Sequence, residues 1–316
     1  VKILVTGSAG HLGEALMRTL RETDHDAIGL DIVASPFTQL IGSIIDPAFV
    51  KRALDSVDAV LHTATLHKPH IATHTARAFV ETNVVGTLNL LEAASNSAVR
   101  AFVFTSTTST FGGALTPAPQ EPAAWVTEAT VPVPKNIYGV TKTAAEDLCA
   151  LFHRDHGSPC VILRTSRFFP EEDDHEATRA SYDPVNIKVN EYLYRRVDLA
   201  DAVDAHLLAL ERAPALGFAR YTISATSPFL PEDAAELRVD APRVVARREP
   251  DYAAEYARRG WRMFPSIDRV YVNTLARTQL KWQPRYDFRY VLDRLRAGDD
   301  PRSPLARAVG AKGYHH

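Results

Sequence analysis

Lys2-Ile3-Leu4-Val5-Thr6-Gly7-Ser8-Ala9-Gly10-His11-Leu12-Gly13 is the stretch that decides the fold. Its first residues read as a buried apolar strand that runs straight into a turn. A helix opens directly after Gly10. The glycines follow the order G-x-x-G-x-x-G. The first permits a tight turn, the second lets a pyrophosphate approach the backbone, and the third lets helix and strand pack closely. A helix that starts here offers N–H groups and the positive end of its dipole to an anion. Ala9, His11 and Leu12 complete the candidate loop. Glycine spacing alone is weak, and the strand–turn–helix setting gives it weight.

Outward from the loop, short apolar runs alternate with helical patterns. Strands are expected at 2–6, 27–31, 59–62, 101–105 and 160–164, and helices near 11–22, 47–56, 74–97 and 138–156. Continuous apolar strands between helices argue for a parallel sheet covered on both faces. The expectation is an α/β fold, a doubly wound parallel sheet (Rossmann-like) with a smaller C-terminal substrate lobe. The segment 113–134 reads as a long proline-bearing loop, and 170–186 is acidic without a clear period. Order returns with a strand near 196–199, a helix at 201–212 and a strand at 220–224. No element is assigned to 226–250, which is rich in Pro, Glu and Arg. Helices follow near 250–259 and 287–296. The expected division is a dinucleotide domain over 1–168, to which 195–224 returns, and a substrate lobe over 169–194 and 225–316.

Composition sets outer limits. The 316 residues are 46% hydrophobic and 23% charged, with a net charge of -2. These values exclude a disordered chain, a collagen-like fibre and a disulfide scaffold. No run of like charges reads as a nucleic-acid or membrane patch. The two cysteines, Cys149 and Cys160, have no metal spacing and read as buried thiols in a reducing, cytoplasmic setting. Neither a transmembrane stretch nor a signal peptide is expected. The terminal His315-His316 pair is kept out of fold reasoning.

Two local patterns carry chemistry. Asp31 ends the second expected strand. A carboxylate there can accept hydrogen bonds from both ribose hydroxyls and would repel a 2′-phosphate, while Ile32 and Val33 offer no compensating cation. This favours NAD over NADP. Tyr138-Gly139-Val140-Thr141-Lys142 sets Tyr and Lys at i, i+4 on one helix face. A free phenol, with a pKa near ~10, is no base at neutral pH. A neighbouring ammonium, helped by the nicotinamide's positive charge, favours the phenolate. Tyr138 could then take a proton from a substrate hydroxyl as hydride leaves.

With these residues in view, the chain resembles the extended short-chain dehydrogenase/reductase family, the group of NAD-dependent epimerases and dehydratases. The matching stretches are TGSAGHLG at 6–13, LHTAT at 61–65, TNVVGTLNLLEAA at 82–94 and FVFTSTTSTFG at 102–112. YGVTK at 138–142, RRVDLADAVDAHLLAL at 195–210 and LKWQPRYDF at 280–288 complete the set. The resemblance implies that Thr107, with Thr105 and Ser106 beside it, hydrogen-bonds the reacting oxygen, and that Asn83 supports the catalytic framework. It implies that Thr63, Ala64 and Thr65 line the cofactor, and it adds Asn83, Thr105 and Thr165 to the candidate cofactor residues. At the adenine position Ser43-Ile44 stands where the family usually has Asp-Ile or Asp-Val, so the acidic contact is missing. Homodimerisation through the helices near 74–97 and 138–156 is implied as well.

The chain departs from the family after Arg164. The run Thr165-Ser166-Arg167-Phe168-Phe169-Pro170-Glu171-Glu172 puts Arg167 where nucleotide-sugar enzymes have an Asn that contacts the sugar diphosphate. Arg167 can bind a substrate phosphate or carboxylate, or pair with Glu171 or Asp173. His62, His67, His70 and His74 crowd one region. His70 and His74 have a metal spacing without an obvious third ligand, so no metal is expected, and His67 or His70 is a substrate-pocket candidate. Arg195, Arg196 and Arg262 are further substrate candidates.

Three functions stay open. One is an epimerase that keeps NADH and returns the hydride to the other face of a sugar-like carbon. The second is a net sugar or uronate dehydrogenase or carbonyl reductase. The third is a non-catalytic NAD-binding sensor, which would be expected to have lost Thr107, Tyr138 and Lys142.

Overall fold

The computed structural model describes residues 1–171 and 176–313; Glu172, Asp173, His315 and His316 lie outside them. Strands β1 (Lys2–Thr6), β2 (Asp26–Asp31), β3 (Leu40–Ile41), β4 (Ala59–His62) and β5 (Ala101–Thr107) come first. They are followed by β6 (Ala124–Val126), β7 (Cys160–Thr165), β8 (Phe218–Ile223) and β9 (Arg269–Tyr271). Seven of them form one sheet in the order β3-β2-β1-β4-β5-β7-β8, every pair parallel. The order reverses beside β1, which opens a crevice at the carboxyl ends of β1 and β4.

Both faces of the sheet are buried, which explains its continuous apolar runs. Ile3, Val5, Leu61, Val103, Val161 and Leu163 point to one face and pack under the helices His11–Leu20 and Leu199–Leu216. Leu4, Val60, Phe102, Phe104 and Ile162 point to the other, under Pro47–Ala53, Gly86–Ser95 and Ile137–His156. Each strand therefore alternates between two cores with the period of two that the pleat dictates. A separate apolar cluster, including Ile187, Leu193, Phe229, Leu237, Val245, Tyr256, Phe264, Val291 and Leu292, forms the core of a C-terminal lobe.

Several expectations need correction. The strand near 196–199 is a single bridge between Arg196 and Arg167. Asp198 ends it, because its carboxylate caps the helix Leu199–Leu216 by accepting the Ala200 N–H at 2.8 Å. The helix near 74–97 is not uniform. It runs from Ala76–Phe79 through a π-helical stretch, Val80–Val85, into Gly86–Ser95. Within 226–250 lies the helix Ala241–Arg248, capped by Asp240. The loop 113–134 contains β6, which pairs with the distant β9. The two-part division stays a proposal, with 274–282 and 304–309 moved to the sheet's side. Ala276, Leu280, Trp282 and Val309 all belong to the core cluster on one face of the sheet, together with Ile3, Val5, Val161 and Leu163.

Candidate active site

The glycine loop closes on itself for steric reasons. Gly7 has a φ of +74°, and a Cβ there would stand 2.7 Å from the Ala64 nitrogen. A Cβ on Gly13 would stand 1.9 Å from the Gly7 carbonyl oxygen. Gly10 caps the helix His11–Leu20 with no side chain bonded to its first turn. The helix N-terminus thus faces a cleft of about 620 Å³. These features suit a dinucleotide, whose pyrophosphate needs backbone donors and close approach. Asp31, at the end of β2, accepts the Ala9 N–H at 3.0 Å and the Val33 N–H at 2.9 Å. Its carboxylate is thereby fixed at the rim of the cleft.

Among the predicted residues, Gly7, Ala9, Gly10, His11, Leu12, Gly13, Asp31, Ile32, Ser43, Ile44, Thr63, Ala64, Thr65, Thr105, Tyr138 and Thr165 line this cleft. His67, Thr107 and Arg167 line it too. Many of the hydroxyls are already engaged. Thr63 donates to the Thr6 carbonyl at 2.7 Å and Thr165 to the Ser106 carbonyl at 2.9 Å. Thr105 lies 2.8 Å from Nε2 of His206, whose Nδ1 is 2.7 Å from the Ala202 carbonyl. The imidazole N–H must serve that carbonyl, so Thr105 donates to Nε2. Burial pulls His206 down to about 4, which keeps it neutral.

Thr107 and Tyr138 meet on the floor of the cleft. Asn136 starts the helix Ile137–His156 by accepting the Gly139 N–H at 2.9 Å, which puts Tyr138 in the first turn. The Ser109 N–H donates to the Thr107 hydroxyl at 3.1 Å, which leaves the Thr107 proton available to an oxygen in the cleft. Burial pushes Tyr138 up to about 12, and the nearby Thr107 hydroxyl works against that rise. Lys142, one turn on, is 2% exposed, with its ammonium 4.0 Å from the centre of the Phe104 ring. Burial pulls it down to about 7, against the opposing charge of Glu146.

Two residues that do not touch the cleft position these groups. The carboxamide oxygen of Asn83 accepts from the Thr65 hydroxyl (2.9 Å) and the Leu66 N–H (2.8 Å), and its NH₂ donates to the Leu66 carbonyl (2.9 Å) and to Thr141 (3.0 Å). It therefore ties the loop after β4 to the helix of Tyr138 and is not on the cleft wall. It sits in the π-helical stretch Val80–Val85, a kind of turn that recurs at functional sites. Glu146, another turn beyond Lys142, accepts Ser106 Oγ at 2.5 Å and pairs with Arg164 of β7 at 2.7 Å. It anchors the helix to β5 and β7. Its i+4 spacing after Lys142 was visible in the sequence but carried no meaning without Arg164.

The substrate end differs most from expectation. Glu191, with no solvent exposure, binds Arg167 at 3.1 Å, Arg195 at 2.8 Å and Arg196 at 2.9 Å. Arg196 is buried and also donates to the Phe169 carbonyl at 3.0 Å, so it does not reach the main cleft. Arg262 lies in the C-terminal lobe, over the Tyr182 ring and bonded to the Ser181 carbonyl, away from the cleft. Sequence reasoning did not find Ser166, Arg269 or Tyr271, which line the cleft. Arg269 and Tyr271 arrive there only through the β6–β9 pairing. Ser166 is 3% exposed, and its hydroxyl has no hydrogen-bond partner among the described residues. Lys68, Lys135, Arg167, Arg195, Arg269 and Lys312 contribute to the cleft wall, and Asp31 is the single carboxylate among the described residues there. The His67 ring stacks on Phe169 at 5.5 Å and meets His70 at 4.4 Å. No group of three possible metal ligands occurs among the described residues.

The profile of the NAD dependent epimerase/dehydratase family matches residues 3–220. An uncharacterized UDP-glucose epimerase of Bacillus subtilis is 31% identical over 185 residues, which are 52% of this chain and 55% of the relative. A dTDP-glucose 4,6-dehydratase of Streptomyces niveus is 31% identical over 191 residues, 54% of this chain and 55% of the relative. The chain thus spans about half the length of these curated relatives. A short-chain dehydrogenase/reductase superfamily protein of Agrobacterium tumefaciens, solved with bound NAD, superposes with a TM-score of 0.69. It is 23% identical, with 98% of this chain and 99% of that one covered, a likeness of fold.

Proposed function

The chain belongs to the NAD dependent epimerase/dehydratase family, and on that premise we propose that it oxidises and re-reduces a carbinol carbon of an anionic, sugar-type substrate, in the manner of an epimerase. The observation that carries this reading is that the Thr107 hydroxyl and the Tyr138 phenol line the same cleft, with Lys142 one helical turn away. A redox sensor on this fold has no use for that set.

NAD, held by the glycine loop and Asp31, supplies a hydride acceptor and a positive charge when bound. The remaining chemistry belongs to this chain. Thr107 orients the reacting oxygen. Tyr138 exchanges a proton with that oxygen, as acid when its phenol is neutral and as base once nearby positive charge lowers it. Lys142 carries a proton close to neutral pH and favours the phenolate when charged. The cationic wall supports the anionic class of substrate, a sugar that bears phosphate or carboxylate.

A cytoplasmic homodimer is part of the same proposal. No helix among the described residues is long and apolar enough to cross a membrane. Val80, Val85, Val140 and Leu151 stand exposed on the neighbouring helical segments 76–95 and 137–156.

The test is a screen of UDP-sugars, uronates and free sugars that follows both epimer formation and absorbance from NADH. Epimer without net NADH supports the proposal. NADH that accumulates in step with product assigns a net dehydrogenase instead. Absence of both, with NAD bound, would favour the sensor.

A further inference from the structure

The end of the described chain returns to the dinucleotide cleft. The helix Pro304–Val309 packs against the helices His11–Leu20 and Leu199–Leu216. Gly310 and Gly313 each take a φ of +66°, and the residues between them cross the start of His11–Leu20. The Lys312 backbone N–H points at Nε2 of His11 (3.1 Å) and Oε1 of Glu171 (3.3 Å), and these two atoms stand 3.0 Å apart. Burial raises Glu171, but the bond and charge of His11 together with backbone N–H groups, that of Lys312 among them, outweigh it and leave the carboxyl lowered. The Lys312 ammonium pairs with Glu14 in the first turn of the helix. Lys312 and Gly313 line the cleft beside Gly10, His11 and Gly13.

We propose that Lys312 is a cofactor-binding residue, which contacts the dinucleotide's pyrophosphate, and that residues 310–313 form a strap that retains the cofactor. The inference rests on the reading that NAD binds at the glycine loop. Three features support it. The ammonium already stands at the helix terminus where an anion is most favoured. Glu14 also holds Arg18 at 2.8 Å, so its charge stays compensated when Lys312 turns to a phosphate. The strap is tied through Glu171 to His11, inside the glycine loop itself, so anion binding and strap closure share one contact network. Retention suits a reaction that returns its hydride and does not release NADH.

The experiment is calorimetry on the full chain at one fixed salt concentration, with NAD, ADP-ribose and adenosine as probes. Lys312→Ala should weaken NAD and ADP-ribose by ~10-fold or more, as loss of a charge-assisted contact does. Adenosine, which lacks phosphate, should bind as before. NADH release followed by fluorescence should quicken by a similar factor. Glu14→Gln frees the ammonium and should leave NAD affinity equal or higher. Unchanged NAD affinity in Lys312→Ala overturns the inference, as does an equal loss for adenosine. A loss in Glu14→Gln as large as that in Lys312→Ala also overturns it, since the pair would then be structural. Wild-type protein that binds no NAD would remove the underlying functional reading together with it.

Discussion

The guanidinium of Arg167 lies 3.1 Å from Oε1 of Glu191, a carboxylate with no solvent exposure. Among the described residues an anionic partner of Arg167 thus comes from this chain, from Glu191, well beyond the acidic loop after β7. Arg195 and Arg196 remain on Glu191 when Arg167 is removed. Arg167→Ala should therefore raise KM for an anionic sugar about 10-fold and leave NAD affinity unchanged. Glu191→Gln should lower the melting temperature far more, because uncovering buried charge costs about 3–5 kcal/mol. A melting temperature that falls in Arg167→Ala with KM unmoved would assign Arg167 to the ion cluster alone.

Ser166 makes the opposite kind of prediction. An unsatisfied buried hydroxyl costs roughly 1–3 kcal/mol, so Ser166→Ala should leave the empty protein equally or more stable. If substrate completes the hydroxyl's bonds, KM should rise by about 10-fold in the same variant. Calorimetric melting and steady-state kinetics read the two effects separately. A drop in stability with normal KM would mean the hydroxyl serves the fold.

Much of this was legible in the sequence because it is local. The glycine loop, the alternation of the strands and the Tyr138–Lys142 spacing each span only a few residues, and local patterns fix them. The substrate end is not local. Arg269 and Tyr271 reach the cleft because β9 pairs with β6, two three-residue strands with no period to recognise. Glu191 looks like a surface residue until its three arginines are seen around it. Arg196 and Arg262 were drawn to the substrate by their type, yet backbone carbonyls and Glu191 hold them elsewhere.

Cofactor choice follows from Asp31. Its carboxylate is fixed by the Ala9 and Val33 N–H groups, and it faces the cleft without a cation beside it on β2. NAD should bind at least ~10-fold more tightly than NADP, about 1.4 kcal/mol. Asp31→Asn should narrow that ratio chiefly by improving NADP. Equal affinities in the wild type would mean that the carboxylate does not meet the ribose.

Lys142 yields a pH dependence. Burial lowers it to about 7 from its usual 10.5. Between those values the unfolded chain holds a proton that the folded one has lost, so stability rises with pH across the window. The penalty is full below about pH 7 and fades toward pH 10. Lys142→Met should accordingly melt higher than wild type at pH 6–7, with the gain shrinking as pH rises. A gain that grows with pH would reverse the assignment.

The most direct measurement is turnover by Tyr138→Phe on the substrate that the sugar screen identifies, beside NAD affinity by calorimetry. The substitution removes one oxygen, the one proposed to exchange the proton, from a phenol on the cleft wall. Fold and NAD affinity should be kept while kcat falls by at least ~100-fold. A near-normal kcat with NAD still bound would show that the proton passes through another group, and that Thr107, Tyr138 and Lys142 are not the catalytic set.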